Sequence, residues 1–199
     1  MMQIKKIFNR EFRIFTRKDF HSKDHLLEGI RIFLSWAIPA FIFVAWVNRF
    51  EPENVFYQKA ITEGIGPNLW NVMGSFGCIA FGVSLFFPSC KKLTLIGRHI
   101  LSNTYSMGCL TFGLLFGQWC YIPLDNLVWW QQGLFGIVSV LLLGVVVALN
   151  YLIWYLYFLL QENEFEPNFL SKVSNMRRIA RCVIGGCVST IFLGAFVFA

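Results

Sequence analysis

Five stretches of this 199-residue chain carry no Asp, Glu, Lys or Arg: 32–48, 64–90, 99–124, 126–161 and 182–199. A soluble domain spreads roughly 25 % charged residues over its surface; here 14 % are charged and 56 % hydrophobic. A helix needs about 20 apolar residues to cross a hydrocarbon core about 30 Å thick. Lipid offers the backbone no hydrogen-bond partner, so such segments must satisfy their own amides as helices. The pattern predicts an all-α polytopic transmembrane bundle with five spans, near 32–47, 69–87, 100–122, 128–160 and 182–199. The fourth is long enough, at about 50 Å, to require tilt or a protruding end. Gly185, Gly186 and Gly194 weaken the helical reading of the fifth, and a four-span bundle with a re-entrant or surface segment there is the alternative.

Basic residues are retained on the cytoplasmic side of a membrane. With the N-terminus in the cytoplasm, fifteen of the seventeen Lys and Arg fall inside, and only Arg49 and Lys59 fall outside. Tryptophan prefers the interface, and Trp46, Trp70, Trp119, Trp129 and Trp130 then lie at the outer ends of spans one to four. Trp36, Trp154, Tyr151, Tyr155 and Tyr157 lie toward the inner side. The expectation is an integral protein of a bacterial inner membrane with its C-terminus outside. A cleavable signal peptide fits poorly, because some thirty mostly polar residues precede the first apolar run and no small-residue cleavage site follows it.

The chain divides into a cytoplasmic basic segment, 1–31, and a transmembrane domain, 32–199. Residues 2–18, "MQIKKIFNREFRIFTRK", place Ile4, Ile7, Phe8, Phe12 and Phe15 at helical spacing. Lys5, Lys6, Arg10, Arg13, Arg17 and Lys18 supply the cations of a basic amphipathic helix suited to anionic lipid at the inner leaflet. Covering the cytosolic ends of the bundle is the other role open to its apolar face.

"DFHSKDH", residues 19–25, is the one cluster that resembles a site. His21 and His25 are four apart and would share a helix face as metal ligands do, with Asp19 or Asp24 nearby. Metal sites need three or four ligands, and the one other histidine, His99, is distant in sequence. The simpler reading is a solvated cytoplasmic threshold before the first span. No metal or cofactor is expected. The six cysteines form no C-x-x-C pair, and Cys90 before Lys91 and Lys92 is a weak candidate for a reactive or acylated thiol. Nucleophile and nucleotide motifs are absent, so no enzyme is expected. The net charge of +6 flanks apolar runs rather than forming a nucleic-acid surface.

Within the spans, small and polar residues form stripes. Asn71, Ser75, Cys78 and Gly82 share a face of the second span, Asn103, Ser106, Leu110, Gly113 and Gly117 one of the third, and Gly136 with Gly144 mark the fourth. Small residues let helices approach closely, and Asn or Ser can hydrogen-bond across them. Such seams pack the chain's own bundle or capture a second chain, foreign or identical. Leucine at Gly113 and Gly117 is expected to abolish partner capture and spare insertion. Asn71 and Gln118 fall near the outer surface and Asn150 toward the inner, leaving Ser, Thr and Cys at mid-depth and little to line a pore. The expected function is lateral packing in the bilayer, as an accessory subunit or as an immunity-type protein against a pore-forming toxin. An oligomeric channel and a membrane metal protein using His21, His25 and His99 are the alternatives.

Overall fold

The computed structural model describes residues 20, 23–62, 65–125, 127–161, 169–176 and 178–197. The regular elements are all helices: α1 Lys23–Phe50, α2 Val55–Thr62, α3 Ile65–Phe86, α4 Lys91–Tyr121, α5 Trp129–Leu160, α6 Phe169–Ser174 and α7 Arg178–Val197. No strand occurs among the described residues. Among the described residues three helices, α1, α3 and α5, are long and apolar enough to cross a membrane. The basic segment 2–18 and His21 lie outside the described residues.

Local chemistry sets the helix ends. α1, α3 and α4 each stop two residues before a proline, Pro52, Pro88 and Pro123, which cannot donate to the preceding turn and disfavours helix at the residue before it. Asn54 caps α2, its Oδ1 accepting from the Phe56 amide at 3.1 Å. Gln131 reaches back so that its Oε1 accepts from the Val128 amide at 3.1 Å at the start of α5, half of a capping box. Pro39 lies inside α1, where it removes the intrahelical bond to the Ser35 carbonyl.

The chain forms two compact units, one of Glu28–Trp70 with Thr104–Leu152, the other of Met1–Leu27, Asn71–Asn103 and Ile153–Ala199. Helices α1, α3, α4 and α5 contribute residues to both. In the first unit Ala40, Val44, Val47, Ile61 and Leu114 form the core, with Tyr57 and Leu110 against it. In the second, the ring of Phe81 stacks on Phe169 at 6.4 Å, and Phe20 meets Tyr155 edge-on at 4.8 Å. Such contacts stabilise by close packing and dispersion.

Four particulars differ from the expectation. α1 begins at Lys23, so the boundary between segments 1–31 and 32–199 falls inside an unbroken helix. Its polar start is compatible with helix because Asp24 sits in the first turn, at the positive end of the dipole. α2 forms in what reads as the first outer loop, and Gln118 donates its Nε2–H to the Ile61 carbonyl at 2.8 Å. α4 extends back to Lys91. Trp70 and Trp154 are buried, whereas Trp46, Trp129 and Trp130 are exposed in the manner of interfacial anchors.

α4 falls outside the three most apolar helices because it carries polar residues, some exposed, as Lys91, Lys92, His99 and Asn103 are, and some turned to protein. Thr104, Tyr105, Cys109 and Thr111 on it are all buried. A helix shielded by its neighbours has less need of hydrophobic side chains than one bathed in lipid.

Candidate functional site: an open glycine face on α5

The small-residue stripes separate into two kinds. Gly113 and Gly117 are buried against α1. A Cβ on Gly113 would meet the Ala37 carbonyl oxygen and stand 2.9 Å from both the Ala37 Cα and the Ala40 Cβ, and one on Gly117 would stand 2.8 Å from the Val44 Cβ. Gly82 of α3 approaches α7, where a Cβ would meet the Ser189 hydroxyl and stand 3.1 Å from the Gly185 carbonyl. These glycines bring backbones of this chain together. Leucine at Gly113 and Gly117 therefore probes the chain's own fold, which redirects the partner-capture test expected from the sequence.

The polar members of these stripes differ in setting. Ser75 donates its hydroxyl to the Asn71 carbonyl at 2.9 Å within α3. Asn103 is exposed and Ser106 half-buried. Bonds that join helices include that of Tyr105, which donates its hydroxyl to the Gly29 carbonyl at 2.9 Å, and that of Asn150, which donates Nδ2–H to the Cys109 thiol at 3.2 Å. Asn150 thus packs beside Cys109, near the middle of α4. Gly108 leaves the space that this amide and the Trp70 indole occupy, for a Cβ there would meet Asn150 Oδ1 and stand 2.7 Å from Trp70 Nε1. Sequence reading missed Gly108 because it lies off the Gly113–Gly117 stripe.

Among the histidines, His25 packs edge-on against Phe158 at 4.5 Å, and His99 is exposed on α4. No group of three His, Cys, Asp or Glu that could hold a metal occurs among the described residues.

Gly136 and Gly144 behave differently. Among the described residues nothing lies within 4 Å of the position a Cβ would take on either, nor on Gly133. At 100° per residue, Gly133, Gly136, Val140, Gly144 and Val147 share one face of α5. The face is apolar and open, with Val140 56 % exposed, and it carries a shallow groove along Gly133, Gly136, Ile137 and Val140. The half-buried side of the helix runs instead through Gln132, Phe135, Ser139, Leu143 and Val146 to the buried Asn150. Only 11 % of the most apolar stretch of α5 is buried, against 44 % for α3.

Comparison with known protein families, with characterised proteins and with solved structures finds no match.

Proposed function

We infer that this protein works by lateral helix packing in a bilayer, presenting the Gly133–Gly136–Gly144 face of α5 to a membrane-embedded helix of a partner. The carrying observation is that, among the described residues, nothing lies within 4 Å of where a Cβ on these glycines would stand. A purely lipid-facing helix gains nothing from glycine, which costs about 1 kcal/mol of helix propensity relative to alanine. Close approach of another backbone is the use that glycine has on such a face. An accessory subunit of a membrane complex or an immunity-type protein that blocks a toxin helix fits this mode, and self-association would use the same face.

The five-span threading and an inner-membrane setting with a cytoplasmic N-terminus belong to the same reading. α7 has 20 residues, about 30 Å, and meets α3 through Gly82 and Gly185.

The test is Gly136→Leu with Gly144→Leu. Because each new side chain enters open space, the melting midpoint should not fall. Capture of the partner from mild detergent, read by mass spectrometry, should be lost. Undiminished recovery would remove the reading, and an amino-terminal reporter found on the far side would remove the threading.

A further inference from the structure

A cavity of about 680 Å³ opens within one unit, between the turn that joins α3 to α4 and the first turn of α7. Ser89, Arg178 and Arg181 form its polar wall, and Phe86 and Phe87 its apolar one. Arg178 and Arg181 are three apart on a helix, so both guanidinium groups reach the same side. Arg181 Nε is buried with no hydrogen-bond partner in the protein. Buried donors are almost always satisfied, and an unpaired one that carries charge is costly. Among the described residues no carboxylate lines this cavity, and an anionic acceptor from outside the protein would satisfy the guanidinium.

We propose that this cavity binds the phosphate of an anionic phospholipid headgroup. Guanidinium forks match phosphate oxygens bidentately, which a lone halide or a neutral ligand does not exploit. A smaller cleft that shares Pro88 and Ser89 with it is lined by Lys91, and another in the same unit by Lys91 and Arg98, adding cations and, among the described residues, no acid. The apolar wall selects a lipid over free phosphate: Phe86 closes the membrane-length helix α3, and Phe87 is 61 % exposed beyond it, where an acyl chain leaving the headgroup would run. The site needs the chain to be embedded in a bilayer and owes nothing to the α5 partner.

The experiment uses the full chain, delipidated in neutral detergent. The probes are palmitoyl-oleoyl phosphatidylglycerol, the matching phosphatidylcholine, and sodium phosphate. Wild type should retain phosphatidylglycerol about tenfold over phosphatidylcholine by native mass spectrometry, the ratio that one good charge-assisted contact supplies. Its unfolding midpoint should rise with the anionic lipid and not with phosphate. Arg178→Gln and Arg181→Gln should each lose the preference, whereas Lys59→Gln, an exposed cation of the other unit, should keep it. Should Arg181→Gln fail to fold, the exposed Arg178 decides. Equal stabilisation by phosphate would overturn the lipid as source, and undiminished lipid preference in the arginine variants would overturn the cavity as the site.

Discussion

Gly113→Leu is expected to cost the protein about 3–5 kcal/mol, a loss large enough to unfold many domains whose whole stability is about 5–15 kcal/mol. The first carbon added would already run into the Ala37 carbonyl and stand 2.9 Å from the Ala37 Cα. Both atoms belong to backbone, so relief requires α1 to move away from α4. Separation would strip the contacts of Ala40, Val44 and Leu114 in the core of that unit. Overpacking by fewer atoms already costs about 1–3 kcal/mol where the surroundings are rigid. Gly113→Ala should show a smaller loss. Gly117→Ala should be partly rescued by Val44→Ala, since the atoms it meets are the Val44 side chain. Denaturation of purified protein in mixed micelles measures all of these. A Gly113→Leu variant as stable as wild type would mean that α1 and α4 do not touch here.

Gly108→Ala should destabilise by about 2 kcal/mol, even though alanine is the better helix former by up to about 1 kcal/mol. The new methyl would need the space of the Asn150 amide and of the Trp70 indole edge. Asn150→Ala on its own should cost about 1 kcal/mol, the worth of a modest bond to the Cys109 thiol within a buried site. Together the two changes should cost less than their sum by about 1–2 kcal/mol, because the shortened side chain vacates the space the methyl needs. Strict additivity in this double-mutant cycle would show that Gly108 and Asn150 are not neighbours. Both substitutions leave the open face of α5 untouched, so partner capture by any folded fraction should persist. That separates their effect from that of Gly136→Leu with Gly144→Leu.

The helices were largely legible because their rules are local. Charge-free stretches marked α3 and α5 to within a few residues, and Pro52, Pro88 and Pro123 marked three helix ends. The misses have physical causes. The helix α2 hid in a loop because eight residues give a weak periodic signal, although Asn54 at its cap was readable. The starts of α1 and α4 were placed late because charged residues end an apolar run without ending a helix, as Lys91, Lys92 and Arg98 in α4 show. Trp70 was assigned to the interface by its position in sequence, yet it is buried beside Gly108.

The sequence by itself determined the helical class and called for five spans, of which α1, α3 and α5 are long and apolar enough to cross a membrane, because a backbone without water must pair with itself and a charge in hydrocarbon is expensive. Only the tertiary structure decided which glycines face inward. Gly113 with Gly117 and Gly136 with Gly144 read alike in one dimension, but the first pair holds α4 against α1 and the second opens on empty space. In a soluble helix the polar face would have told them apart. Where lipid and protein interior are equally apolar, that contrast is missing, and the neighbours of each helix have to be seen.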